Sequence, residues 1–232
     1  MPARVALVTG AARRIGAAIA RALHARGLAV AIHYRRSRAA AEALGAELEA
    51  ARPGSTALLG ADLLEDGAPQ RLVEATCARL GGLDVLVNNA STFHPTPLAT
   101  IDAAAWDDLM GTNLRAPLLL AQAAAEPLAA RGGAIVNLAD LHGLRPLRDH
   151  LVYSCAKAGL VMLTRALAVE LAPAVRVNAL APGAILWPEG GEPAGERREA
   201  IIARTPLARL GRPEEVAAAV VFLACDATFT TG

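Results

Sequence analysis

The chain predicts an α/β protein built on a doubly wound parallel sheet with helices on both faces, and three observations lead there. Short apolar runs of four to six residues alternate with stretches of helical periodicity from one end to the other. The first run ends in a glycine-bearing turn, Thr9-Gly10 through Gly16, that opens directly into a helical stretch. The residues with chemistry to offer fall where the runs end, which is where ligands sit in open parallel sheets.

Each element has its own warrant. Val5 to Thr9 is a continuous apolar run ended by glycine, as expected of a strand covered on both faces. Arg14 to Arg26 carries helical spacing, Ala29 to Tyr34 is a second strand, and Ser37 is placed to cap a helix running through Glu42 and Leu48. Thr56 to Leu59 is a third strand, followed by a helix over Pro69 to Leu80 and a fourth strand at Leu83 to Val87. Trp106 to Ala130 reads as helix with room for a break, and Ala134 to Leu138 as a fifth strand. A long helix then carries Tyr153, and Val175 to Leu180 is a sixth strand. Residues 182–196 are rich in Gly, Pro and Glu, with 188–199 the candidate mobile loop; helical patterns return at Glu196 to Ala203 and Pro213 to Leu223. No internal repeat or domain linker is visible, so 1–232 reads as one domain.

Bulk properties exclude several classes. With 54% hydrophobic and 19% charged residues the chain is not a disordered one. A formal net charge of +1 argues against nucleic-acid binding through a broad basic field. Cys77, Cys155 and Cys225 form no CxxC and no His/Cys cluster, which points to reduced thiols, a cytoplasmic location and no metal site. Cys155 lies between Tyr153 and Lys157 in sequence but on another helix face, and reads as packing. No stretch reads as a signal h-region or a membrane span.

The catalytic candidates sit after the fifth strand. Tyr153 and Lys157 are four residues apart on one helix and share a face. An ammonium beside a phenol favours the phenolate and lowers the phenol pKa, which suits a tyrosine that gives and retakes a proton. Asp140 at the strand end works the other way, since a carboxylate raises the pKa of the phenol and opposes Lys157.

At the nucleotide end, glycines in the turn let the backbone approach a pyrophosphate, and the following helix N-terminus favours an anion. Gly10, Arg13, Arg14, Ile15 and Gly16 are the candidate residues; a plain strand–helix turn is the other reading of the same pattern. The second strand ends in His33-Tyr34-Arg35-Arg36-Ser37, with no acid before Glu42. An acid there would bind the ribose hydroxyls of NAD. Arginine and serine instead suit a 2′-phosphate, which favours NADPH, with His33, Tyr34, Arg36 and Ser37 as candidate contacts; a solvated basic turn is the other reading of the same residues. Asp62 and Leu63, after the third strand, either border the adenine or form an exposed helix cap.

With TGxxxxIG, Asn88-Asn89-Ala90, Asn113 and Tyr153/Lys157 all present in order, the chain resembles the short-chain dehydrogenase/reductases over essentially its whole length. The resemblance implies a Rossmann-like fold. It implies that Asn113 bends its helix and holds a water relaying protons to Lys157, and that Asn89 and Ala90 support the turn beside the cofactor. It also implies that Pro182, Gly183 and Ile185 belong to the loop at the nicotinamide amide.

Two departures narrow the resemblance. Arg14 replaces the middle glycine of TGxxxGIG, and Asp140 replaces the usual catalytic serine. With HYRRS and the run Asn89-Ala90-Ser91-Thr92-Phe93-His94-Pro95-Thr96-Pro97-Leu98, the chain is similar to the pteridine reductase branch. That likeness implies NADPH-dependent reduction of a dihydropterin to a tetrahydropterin, with oxidised pterins and folates as further substrates. Phe93 offers a face for a flat heteroaromatic ring, Arg14 a donor for an oxygen, Ser91 a bridge between cofactor and substrate, and Asp140 an acceptor for amino and ring N–H groups beside Tyr153. Leu147, His150, Leu186 and Trp187 would shape the pocket mouth, His150 reading as a surface loop residue. A ketoreductase acting on a 3-oxoacyl thioester and a non-catalytic NADPH-binding protein are the competing functions. Relatives continue past a glycine like Gly232 into one more edge strand, so the resemblance implies either a truncated record or a missing edge. It also implies a homotetramer, which the missing strand puts in question.

Overall fold

The computed structural model describes residues 4–187 and 195–232. Six parallel strands are β1 (Val5–Val8), β2 (Ala29–Tyr34), β3 (Thr56–Gly60), β4 (Val85–Asn88), β5 (Ala134–Leu138) and β6 (Arg176–Leu180), in the spatial order β3-β2-β1-β4-β5-β6. The helices are α1 (Arg14–Ala25), α2 (Arg38–Ala51), α3 (Ala68–Leu80), α4 (Ala103–Met110), α5 (Ala116–Ala129), α6 (Leu151–Leu171), α7 (Gly195–Ala203) and α8 (Pro213–Val221).

The apolar strand runs have a direct cause. In β1, Ala6 and Val8 face a layer that includes residues of α1, α2 and α8, while Leu7 faces one that includes residues of α3 and α5. All four β1 residues are fully buried, so neither face tolerates polarity. The order reverses between β1 and β4, and the crevice at their carboxyl ends is the natural ligand site.

The helix expected over 106–130 does break. A π-helical turn at Gly111–Arg115 joins α4 to α5. The carbonyl of Leu109 accepts from Asn113 Nδ2 at 2.9 Å, so the side chain occupies an acceptor at the place where the backbone pattern changes. Ser37 does stand at the N-cap of α2, but its side chain makes no capping bond; its φ of −87° and ψ of 52° depart from the extended backbone that capping favours. Of the stretch 188–199, residues 188–194 lie outside the described residues, and 195–199 belong to α7 rather than to a loop.

By length and composition, with a mean hydropathy of 1.3, α6 alone among the described helices could cross a membrane. Its Tyr153–Lys157 face is instead buried against the end of β5. Cys155 is exposed, which corrects the packing role expected of it.

Candidate active site

The nucleotide turn is stitched by side chains at the ends of β1 and β4. Thr9 Oγ1 at the end of β1 accepts from the Asn89 and Ala90 amides, each at 2.9 Å. Asn89 Nδ2 donates back to the carbonyls of Thr9 at 2.8 Å and Gly10 at 3.1 Å. Gly10 has φ +61°, and a Cβ on Gly16 would lie 2.3 Å from the Gly10 carbonyl oxygen. Both positions therefore require glycine, the first for backbone freedom and the second for space. The sequence marks Thr9 as the start of the glycine turn but gives it no role of its own; its signal was a hydroxyl at a strand end, facing an Asn-Asn pair at the neighbouring one.

The first turn of α1 contains no acidic residue, and its N-cap, Arg13, makes no side-chain capping bond. The leading N–H groups of a helix have no intrahelical acceptor, so Arg14, Ile15 and Gly16 present backbone donors where an anion binds well. These features fit a dinucleotide pyrophosphate. Arg14, at φ +55°, donates through its guanidinium to the Trp187 carbonyl at 2.7 Å, tying the turn to the loop after β6.

At the end of β2, Arg36 is exposed and no carboxylate precedes Glu42. Tyr34 lays its ring against Gly60, where a Cβ would come within 3.1 Å of it. His33 departs from the direct contact expected of it. Its ring is buried beneath the turn and hydrogen-bonded to backbone on both sides, at 3.1 Å to Gly10 and 3.1 Å to Ala61. Asp62 neither caps α3 nor stands free: its Oδ1 accepts from the Leu64 amide at 3.0 Å and its Oδ2 lies 3.9 Å from Arg35. The Leu63 side chain is core, which leaves only its backbone for a ligand. Pro182 and Gly183 lead out of β6, with the Pro182 carbonyl accepting from Leu141 at 3.1 Å. Ile185 packs against the core cluster that contains α1 and α8 residues.

The candidate catalytic group assembles at the end of β5 and on α6. Tyr153 OH donates to Asp140 Oδ2 at 2.8 Å, and Asp140 Oδ1 accepts from the His142 amide at 2.7 Å. Lys157 is buried, donates to the Leu138 carbonyl at 2.8 Å and holds its Nζ 5.7 Å from the Tyr153 ring centre. A Cβ on Gly143 would meet the Lys157 backbone at 2.8 Å, so the Asp140 loop lies tightly on α6. Beneath, Asn88, Asn137 and Thr164 form a buried chain from β4 through β5 to α6, with steps of 2.8 and 2.9 Å.

Of the opposing effects expected of Lys157 and Asp140 on the Tyr153 pKa, the raising one prevails. Burial, then the Asp140 charge and its hydrogen bond, push the phenol well above its ordinary value, against a small opposing effect of Ser91. Lys157 moves down to about 8, because burial outweighs the pull of Asp140. The pair therefore rests as a phenol and a partly titratable ammonium rather than as a phenolate.

Asn113 sits in the π-helical turn as the bend requires. Its Oδ1 accepts from Ser91 Oγ at 2.6 Å and its Nδ2 donates to the Thr92 carbonyl at 3.0 Å, which fixes the loop after β4. Phe93 does not present both faces. It stacks on His150 at 4.6 Å and 17°, and meets Tyr153 edge-on at 4.9 Å. His150 is accordingly not the surface loop histidine expected. It is the N-cap residue of α6, is 9% exposed, and pairs with Thr96 in a bridge between two loops. Leu147 is half-buried and Leu186 exposed, and Trp187 is half-buried with its carbonyl on Arg14. No cluster of three His, Cys, Asp or Glu suited to a metal ion occurs among the described residues.

Comparison with known proteins places this geometry in context. A family profile described as enoyl-(acyl carrier protein) reductase matches residues 10–232. Pteridine reductase 1 from Leishmania tarentolae is 39% identical over 271 residues, covering 99% of this chain and 93% of the relative. A 3-oxoacyl-[acyl-carrier-protein] reductase from Synechocystis is 37% identical over 236 residues, covering 100% and 94%. Among solved structures, a blue fluorescent protein from a metagenomic library, in complex with NADPH, superposes with a TM-score of 0.92 at 34% identity, covering 99% and 94% of the two chains.

Proposed function

Because the chain belongs to the short-chain dehydrogenase/reductase family of NAD(P)-dependent oxidoreductases, we propose that it is an NADPH-dependent reductase of pterins. One observation carries this reading: the Tyr153 phenol is hydrogen-bonded to a carboxylate, Asp140, with the Phe93 ring edge-on beside it. A ketone has no N–H to give a carboxylate, whereas a pterin has an amino group and ring N–H donors.

The cofactor, when bound, supplies the hydride. The protein does the rest. The α1 N-terminus binds the pyrophosphate, and Arg36 with Ser37 holds the 2′-phosphate. The open face of Phe93 supports the flat substrate ring, and Asp140 orients it by accepting its N–H groups. Tyr153 then delivers the proton to the ring nitrogen beside the carbon being reduced. Lys157, which burial has brought to about 8, keeps a positive charge near the phenolate left behind.

The test is NADPH oxidation with dihydrobiopterin, run in parallel with an acetoacetyl thioester. Pterin turnover supports the proposal. Thioester turnover alone would sink it in favour of a ketoreductase, the reading suggested by the Synechocystis relative.

Two variants probe the two halves of the site. Arg36→Ala is expected to raise the Kd of NADPH by about 10-fold or more and leave that of NADH unchanged, since a charge-assisted bond contributes about 1.5–3 kcal/mol. Fluorescence titration with both dinucleotides reads the difference, and equal losses would reject the 2′-phosphate assignment. Phe93→Ala should raise the KM for dihydrobiopterin by about 10-fold, on the order of 1.4 kcal/mol of lost stacking and area, and spare NADPH binding. Steady-state kinetics and cofactor titration check it.

A further inference from the structure

His33 is the most completely enclosed titratable ring near the site, and the proposed chemistry does not use it. Its side chain is 2% exposed. Nδ1 faces the Gly10 amide at 3.1 Å and Nε2 faces the Ala61 carbonyl at 3.1 Å. An N–H on one side and a carbonyl on the other admit a single neutral form, with Nδ1 bare and the proton on Nε2. The His33 carbonyl also accepts from Ala11 at 2.8 Å.

Gly10 is thus held through both of its backbone polar groups from the two strands that flank β1. Its N–H goes to His33 on β2 and its carbonyl to Asn89 after β4, at 3.1 Å. Gly10 stands at φ +61° and directs the chain into α1. A Cβ there would lie 3.0 Å from Ala90 Cα, so the turn has no slack on that side. With its N–H committed to His33, Gly10 offers no backbone donor to a ligand, and the anion-binding donors are those of Arg14 to Gly16. Their aim depends on where the Gly10 peptide is pinned.

We propose that His33 is a positioning residue for the dinucleotide turn: its bare Nδ1 fixes the Gly10 peptide, and through it the N-terminus of α1, without touching the cofactor. This rests on the dinucleotide-binding role of the turn. Burial, which lowers the His33 pKa to about 4, keeps the ring neutral throughout the working range. The effect falls on the pyrophosphate, which NADPH and NADH share, and so differs from that of Arg36.

Two substitutions separate the two ring nitrogens. His33→Asn places an amide oxygen where Nδ1 stands and keeps an acceptor for Gly10. His33→Gln places an amide nitrogen near Nε2, keeps the bond to Ala61 and leaves the buried Gly10 N–H unpaired. The expectation is that His33→Gln weakens NADPH and NADH alike by about 10-fold at unchanged kcat under saturating cofactor, while His33→Asn stays close to wild type. Equal affinities in all three proteins would overturn the proposal, as would a greater loss in His33→Asn than in His33→Gln. A wild type that binds neither dinucleotide would instead overturn the cofactor role itself, and this proposal with it. Should His33→Gln fail to fold, wild type and His33→Asn suffice. Spectra of protein labelled with 15N-histidine, with the His33 signal assigned by its loss in His33→Asn, must show an unprotonated Nδ1 and a protonated Nε2 at neutral pH. The opposite tautomer would reject the proposal.

Discussion

Replacing Tyr153 with phenylalanine will lower kcat for pterin reduction by about 10²–10⁴-fold, the usual contribution of a positioned general acid. NADPH affinity will be retained. The substitution removes one oxygen from a ring that otherwise keeps its edge-on contact with Phe93 and its place in the cluster with Leu109 and Val152, so the fold is not at risk. The lost group is the proton at the centre of the site. The phenol donates it in a hydrogen bond to Asp140 Oδ2, 2.8 Å from oxygen to oxygen, and burial together with that carboxylate keeps it on the phenol. A group held protonated is poised as an acid, and its removal leaves hydride transfer with no proton donor at the acceptor nitrogen. Single-turnover absorbance of NADPH, beside a fluorescence titration, separates chemistry from binding. A loss of only a few-fold would show that another group or water protonates the substrate.

Asp140→Asn is expected to lower kcat/KM for dihydrobiopterin by about 10–100-fold and, independently, to shift the pH profile. The amide keeps the shape of the carboxylate but removes the charge that accepts substrate N–H groups, a loss of about 1.5–3 kcal/mol for each charge-assisted bond. The sign of the pH effect follows from the causes of the shift. Burial raises the phenol pKa first, and the Asp140 charge and its hydrogen bond raise it further. Removing the charge lowers the pKa. A rate that requires both a protonated Tyr153 and a charged Lys157 falls first as Lys157 titrates at about 8 in wild type, and because the Asp140 charge raises both groups it will begin to fall at lower pH in the variant. Each unit of displacement corresponds to about 1.4 kcal/mol. Rates from neutral to strongly alkaline pH in both proteins check this, and coincident alkaline limbs would show that the Asp140 charge governs neither Lys157 nor the phenol.

The sheet was legible because its strands are covered on both faces, so Val5–Val8 and Val85–Val87 appear as uninterrupted apolar runs. The shared face of Tyr153 and Lys157 was legible because helical spacing is a local property. The protonation state of that pair was not, since it depends on burial and on a carboxylate brought in by the turn after β5. The Phe93–His150 stack joins loops far apart in sequence, and neither residue type announces the other. His33 offered a signal that went unused. Strand alternation puts it on the same face as Ala31, which is fully buried, and opposite to Ile32. A ring on that face at a strand end had to find backbone partners.

The widened turn at Gly111–Arg115 also has a consequence for how this chain can vary. A π-helical turn is what one added residue leaves in an α-helix. Deleting one residue there would let the helix run through in ordinary form and rotate all that follows by about 100°. Leu120, Ala121 and Ala124, now fully buried, would swing away from the sheet, and the amide that steadies the Ser91 loop would leave its place. Between Leu109 and Ala116, the number of residues is therefore under as tight a constraint as their identity, and gaps between homologous chains should avoid this segment.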